Sequence, residues 1–480
     1  MSNNPGIFRK LFTDTAVYGL GSIVPRIFNF FLVPLHTRVF GPEAYGRITD
    51  AYGWIAILNV VLLFGMETAY LRFSTRSGGD EEKSFQTAQT VVTLVSLFML
   101  VLLYSFFFSD FISFRKEEQN LFLYASVTLL TDALCAIPFV RLRLKNKSSI
   151  FAALKIANIA LLVILNLWFL SGANATPEMV FEANMLANFL FLIYFLPVLI
   201  RWRPRLDRSQ AEPMLRYSFP VMLTGLAGMT NEMFSRISID NWLPADFYPG
   251  QSPAYVQGIF GACYKFAIFM SLIVQAFRMA AEPFFFSKAE DKNSPKLFAT
   301  VNHYFTVVAT FFMMAICFNL NWLKYLTDEK YWGGLGIVPW LLLGYLWLGI
   351  YYNLTVWFKI TDKTYFGTLI TIVGALLTIF LNFVLIPVFG IMGSATVTFI
   401  SYFLMAVMCY LLGRNYFPVP YRVFRGLLIV FTGFGTVFLF NHFQTGSVPA
   451  DFLRGLGATF LTGVILWLIE KDSFRSGFSA

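Results

Sequence analysis

Arg26 is set in GSIVPRIFNFFLVPL, residues 21–35, a run that carries no other charge. A guanidinium near the middle of an apolar helix costs roughly 2.5–3.5 kcal/mol on insertion scales and normally faces a partner or water. Thr15, Gly19, Ser22, Arg26 and Asn29 are spaced by 4, 3, 4 and 3 residues, which puts them on one helical stripe, while Leu20, Val24, Ile27 and Phe31 cover the remainder. The planar guanidinium suits bidentate binding of a phosphate. It suits an acid elsewhere in the chain equally well.

A weak internal repeat supplies a candidate for that acid. YGLGSIVPRIFNFF (18–31) lies without gaps on TGLAGMTNEMFSRI (224–237), and AYGRITDAYGWIAI (44–57) lies on AYVQGIFGACYKFAI (254–268). Glu232 then takes the place of Arg26, with Asn231 beside it, and Gly225, Gly228 and Ser235 take those of Gly19, Ser22 and Asn29. Two stripes facing one cavity would present opposite charges to it. Arg26, Asn29, Ser22 and Asn231 are therefore candidate substrate-binding residues, either with Glu232 as the counter-charge or with Arg26 meeting substrate directly. Lys265, in GACYKFAIFM, joins them because it is too deep in its helix for easy snorkelling.

Asp132, in LLTDALCAIPF, is mid-helix and reads either as an ion-coupling carboxylate or as a hydrogen-bonded structural one. Glu67 and Arg72, with Arg278 and Glu282, fall at helix ends on the side of the N-terminus. Interfacial anchoring is the plain reading of these four and a cytoplasmic gate the sharper one, with Arg278 and Glu282 at the i,i+4 spacing of a surface pair.

The elements that hold these residues follow from composition. Of 480 residues 57% are hydrophobic, 18% aromatic and only 13% charged, against about 25% charged in soluble domains. Mean hydropathy is +0.64. Apolar runs long enough to cross about 30 Å of hydrocarbon recur throughout, and they predict fourteen spans: 12–35, 44–70, 86–109, 119–140, 150–171, 177–199, 213–240, 254–281, 297–320, 335–357, 366–386, 390–412, 424–442 and 453–469. The runs are too long and too uniformly apolar for barrel strands. The fold class is an all-α polytopic membrane protein. Residues 1–204 and 205–415 form two six-helix lobes in a parallel pseudo-twofold repeat, and 416–480 form an extra helix pair and tail. The start of the chain lacks the short apolar core and small-residue cleavage site of a removable signal peptide.

Lys and Arg concentrate in the loops on the side of the N-terminus, notably Arg141, Arg143, Lys145 and Lys147 and then Arg201, Arg203, Arg205 and Arg208, whereas Arg38, Arg115, Lys116, Lys324, Lys330 and Arg454 stand opposite. Both termini are expected to be cytoplasmic. The net charge of +9 is this bias, so it gives no reason to expect nucleic acid, though it would attract anionic lipid headgroups. Cys135, Cys263, Cys317 and Cys409 are scattered singly and His36, His303 and His442 are far apart, so no metal site or disulfide framework is expected. There is no GxxxxGK[ST] loop, and the loops are too short for a soluble catalytic domain. The first outer loop, HTRVFGPEA, has one acid, which argues against a membrane polymerase, ligase or glycosyltransferase. An enzyme is not expected.

RVFGPEAYGRI, GMETAYLRF, VRLRLKNKSSIF and above all residues 351–402, from YYNLTVWFKITDK to FISY, resemble the bacterial polysaccharide-transporter family, the O-antigen and oligosaccharide flippases. That family is grouped with lipid II flippases and multidrug and toxin extruders, and drug extruders usually lack the final helix pair present here. The resemblance implies a MATE-like fold in the inner membrane and alternating access. Its implied cargo is an undecaprenyl-pyrophosphate-linked oligosaccharide, with the phospholipid bilayer and other surface-glycan assembly proteins as partners. It implies no cofactor beyond coupling to H+ or Na+, for which Glu232 and Asp132 are the candidate carboxylates. Lipid II or an ion-coupled small molecule would be the cargo of the related subfamilies.

Overall fold

The computed structural model describes residues 24–25, 27–76, 80–107, 119–442 and 447–477, and no β-strand occurs among them. In hydrocarbon every backbone N–H and C=O must be met within the chain, which the helix does segment by segment. Eleven helices among the described residues are long and apolar enough to span a membrane. The chain is a multi-pass membrane protein.

The chain divides into two compact units, Met1–Met233 and Phe234–Ala480. The first holds α1 (27–39), α2 (Pro42–Leu63), α3 (Met66–Thr75), α4 (Glu81–Phe107), α5 (Gln119–Leu144), α6 (Ser148–Phe169) and α7 (Pro177–Arg201). The boundary falls inside α8 (Arg208–Trp242). The second unit continues with α9 (Pro253–Ser287), α10 (Ser294–Phe318), the short α11 (Leu320–Leu323), α12 (Val338–Leu354), α13 (Val356–Ile360), α14 (Tyr365–Tyr416), α15 (Val423–His442) and α16 (Val448–Gly477).

Two departures from straight helices matter. The span expected at 44–70 is broken: Phe64 (φ 50°) and Gly65 (φ 67°) are both left-handed, so α2 ends and α3 begins two residues later. The Phe64 N–H closes the end of α2 on the carbonyls of Val60 and Val61. The second departure is in α14, where Gly390 has φ 58° and ψ −139°. Ser394 Oγ lies 3.1 Å from Asn382 Oδ1, and Thr378 Oγ1 donates to Ser401 Oγ at 2.9 Å. Residues twelve apart on a straight helix would be roughly 18 Å apart, so the chain turns back on itself at Gly390. The two arms are the separate spans expected at 366–386 and 390–412. The first expected span begins outside the described residues, and α8, although helical for 35 residues, is too polar to count among the eleven.

Packing follows the rules of lipid rather than of water. Helices have no apolar surface to hide from solvent, so contact is made by close approach at small residues. On α12, Gly344 meets the backbone of Thr398 and Phe399, and Gly349 lies against the Phe305 ring. Large side chains such as Phe424 (81% exposed) and Trp168 (70%) face outward as lipid-contacting surface. In the first unit Leu62, Met66, Tyr70, Phe85, Leu129, Ile137 and Met214 form the core where α2 and α3 cross α4, α5 and α8.

Candidate functional site

The first unit contains a half-open cavity of about 320 Å³ bounded by α2, α3, α5 and α6. Its wall contains four charged side chains, Glu67, Asp132, Arg143 and Lys155, together with Asn59, the Cys135 thiol and the ring of Phe139. The α5 contribution is one helical face: Asp132, Cys135, Ala136, Phe139, Val140 and Arg143 recur at three- and four-residue intervals. Glu67 is there because of the break at Phe64–Gly65. A continuous helix would carry it past the opening, whereas here it stands in the first turn of α3, whose dipole favours an acid.

The two acids are not bare. Asn188 of α7 donates Nδ2–H to Asp132 Oδ1 at 2.9 Å, and Asn158 of α6 donates to Asn188 Oδ1 at 3.0 Å, so three helices share one polar relay. Lys155 brings its ammonium to 4.4 Å from the Phe139 ring centre and 4.7 Å from that of Phe191. Its charge acts on both Asp132 and Glu67. Asn59 Oδ1 is buried without a hydrogen-bond partner. Two carboxylates against two cations leave the cavity formally neutral.

Asp132 therefore both lines a cavity and accepts a hydrogen bond, which joins the two roles offered by its sequence. Glu67 shares that cavity, while Arg72 points elsewhere, its guanidinium 4.3 Å over the Tyr217 ring. Arg278 and Glu282 form the i,i+4 pair at 3.7 Å, and Lys359 of α13 donates to the same Glu282 oxygen at 2.6 Å. Arg26 and Ser22 lie outside the described residues. Asn29 is exposed on α1, Asn231 is buried and Glu232 half-buried on α8. Lys265 is half-buried on α9, beside Tyr264, whose ring lies 3.7 Å from Arg236; the two cations Lys265 and Arg236 repel each other. Lys155, Arg143 and Asn188 are the site residues that the sequence did not announce.

A second polar cluster lies wholly in the second unit and carries no charge. Ser394 Oγ donates to the Ser235 carbonyl at 2.6 Å, Asn382 Nδ2 to Ser235 Oγ at 3.1 Å, and Thr398 Oγ1 reaches the same hydroxyl at 3.4 Å. Asn382→Ala removes one donor and one acceptor from this knot. The expected cost is about 1 kcal/mol, measurable as a lower midpoint of thermal unfolding in detergent. No group of three or more His, Cys, Asp or Glu positioned to hold a metal occurs among the described residues.

Residues 11–289 match the family described as "Polysaccharide biosynthesis protein". No curated protein matches the chain in sequence. Among solved structures, the lipid II flippase MurJ in an inward closed conformation superposes with a TM-score of 0.75 at 15% identity, covering 96% of this chain and 100% of that one. A multidrug resistance MATE family transporter in an inward-facing conformation gives 0.58 at 13% identity over 87% and 96% of the two chains. A variant of the Vibrio cholerae MATE transporter VcmN gives 0.54 at 15% identity over 85% and 96%. The fold is that of the MurJ and MATE transporters.

Proposed function

This chain belongs to the polysaccharide biosynthesis protein family, and from that premise we propose that it is a flippase carrying an undecaprenyl-pyrophosphate-linked oligosaccharide from the cytoplasmic to the periplasmic leaflet by alternating access. The observation that carries the reading is the family match taken together with a fold shared end to end with a lipid II flippase. Chemistry within the chain supports it. A pyrophosphate is a dense anion, the Arg26 guanidinium matches its geometry, and a mid-membrane Arg would repel the cations that drug extruders usually carry. A charged cavity inside a membrane-spanning lobe is costly, and such residues typically mark a substrate or ion pathway. The excess of Lys and Arg in the loops on the side of the N-terminus supports an inner-membrane protein with both termini cytoplasmic. Coupling to a proton or sodium gradient would act through Asp132 or Glu232. The length and completeness of the MurJ superposition favour lipid II as the second cargo to test.

Arg26→Ala is expected to abolish surface-glycan export while the protein still accumulates in the membrane, and Arg26→Lys to restore only part of it. Export is read by glycan blotting in cells whose own oligosaccharide flippase is deleted. Normal export by a well-expressed Arg26→Ala protein would remove the anion site from the proposal. Expression in cells depleted of the lipid II flippase separates the two cargoes, because growth there requires lipid II transport.

A further inference from the structure

The second unit contains a half-open cavity of about 140 Å³ between α10, α12, α14 and α15, close in size to an engineered apolar cavity of roughly 150 Å³ that takes up benzene. Ile350, Leu354, Phe403, Ala406, Val407 and Leu427 give it an apolar wall. Three other lining residues each hold a buried polar atom without a hydrogen-bond partner: Asn302 Oδ1, His303 Nδ1 and Trp347 Nε1. His303 donates from Nε2 to Glu470, so its Nδ1, like the Asn302 oxygen, is an acceptor, whereas the Trp347 N–H is a donor. A buried polar group left unmet costs about 1–3 kcal/mol. An occupant that meets all three brings hydroxyl donors and an acceptor oxygen as well as apolar surface.

Charge at the rim adds another requirement. Arg422 lines the cavity from the loop between α14 and α15 and is exposed. Residues 414–425 hold Arg414, Arg422 and Arg425 and no acid. Glu470 does reach this region, but its two oxygens are engaged by His303 and Arg425. The loop therefore carries net positive charge beside an apolar opening, and a guanidinium there matches a phosphodiester. Gly426 continues the wall on α15, and a Cβ there would meet nothing within 4 Å.

We propose that this cavity binds an anionic, hydroxyl-bearing phospholipid of the phosphatidylglycerol class. One acyl chain lies along the apolar wall, the phosphate sits on Arg422, and the hydroxyl and ester oxygens meet Asn302, His303 and Trp347. Anionic headgroups gather at basic segments beside a membrane, which supplies the ligand. A zwitterionic lipid offers the same chain but offsets its phosphate with its own cation, and a polyprenyl phosphate has neither glycerol hydroxyls nor ester oxygens. The lipid is a fixed ligand of the second unit and not cargo, so the inference goes beyond the flippase reading and is tested without transport.

The measurement is thermal unfolding of the full chain, purified and delipidated in detergent, with phosphatidylglycerol, phosphatidylcholine or undecaprenyl phosphate added at equal concentration. Phosphatidylglycerol is expected to raise the midpoint by about 2 °C or more above either of the others, the size that ligand-linked stabilisation gives at modest saturation. Gly426→Leu narrows the cavity from α15 and is expected to lose that rise. Gly435→Leu, further along the same helix and also with nothing within 4 Å of its Cβ, is expected to keep it. Arg422→Gln is expected to bring the phosphatidylglycerol rise down to that of phosphatidylcholine. Equal rises with these two lipids in wild type would mean an unspecific lipid shell and overturn the proposal. A rise with undecaprenyl phosphate alone would give the cavity to cargo and overturn it as well, as would a full rise in Gly426→Leu. Should Gly426→Leu fail to accumulate, Arg422→Gln decides, because its side chain is at the surface: an undiminished preference for phosphatidylglycerol in that variant overturns the proposal.

Discussion

Glu470→Ala is expected to lower the stability of the second unit by about 3 kcal/mol and to loosen α16 from its neighbours. Glu470 has no exposed surface, yet it lies on the helix whose span is otherwise the least buried of the eleven among the described residues. Its two oxygens are divided between two helices. Oε2 accepts from His303 Nε2–H of α10 at 3.0 Å, and Oε1 accepts from Arg425 Nη2–H of α15 at 2.8 Å. Truncating one member of a buried charged network costs about 3–5 kcal/mol, because the partners are left uncompensated. The low end applies here, since Arg425 retains 38% exposure and can find water or headgroups. Glu470→Gln keeps an acceptor for one neighbour and is expected to cost roughly half as much. The check is thermal unfolding combined with protease release of the C-terminal helix. Equal losses for the Ala and Gln variants would mean that shape, and not charge, holds α16 in place. At its far end α16 is held more softly, by Thr459 accepting from Asn319 Nδ2 at 2.9 Å and by Gly455 against the Phe318 carbonyl.

The parts of this architecture that sequence makes legible are those decided by averages over a helix. Mean hydropathy and run length give the membrane class and nearly every span, and the two arms of α14 are separate runs because Pro387 and Gly390 interrupt them. The i,i+4 pair of Arg278 and Glu282 is equally local. What escapes is whatever depends on how helices are placed. Lys155 sits eight residues into its helix and looks like an anchor within snorkelling reach. Only the packing of α5, α6 and α7 brings it into the same cavity wall as Asp132, 23 positions away. Asn382, Ser394 and Ser235 escape for another reason: neutral polar side chains barely change the hydropathy of an apolar helix, although together they knot the hairpin of α14 to α8. Glu67 depends on a backbone detail. In LLFGMET nothing but one glycine hints that the helix stops, and the stop changes its neighbours from headgroups to Asp132, Arg143 and Lys155.

That glycine carries the other large expected effect. Gly65→Ala is expected to destabilise the first unit by roughly 2–5 kcal/mol and to eliminate export even where some protein accumulates. Two costs add. A side chain at φ 67° is strained by about 1–2 kcal/mol, and overpacking a close contact costs about 1–3 kcal/mol more. The contact is severe, since a Cβ at this position would lie 2.6 Å from the Ser218 carbonyl oxygen and 3.1 Å from the Met222 nitrogen. Both are backbone atoms of α8, so no rotamer change relieves the clash and the helix itself must move. Relief by straightening the break would turn α2 and α3 into one continuous helix, which swings Glu67 out of the cavity and leaves Arg143 and Lys155 facing Asp132 alone. Gly435→Ala is the control, because nothing lies within 4 Å of the added atom. It is expected to leave thermal midpoint and export unchanged. Wild-type stability and export in Gly65→Ala would mean that the break at Phe64–Gly65 does not position Glu67, and the cavity would then have to work without that carboxylate.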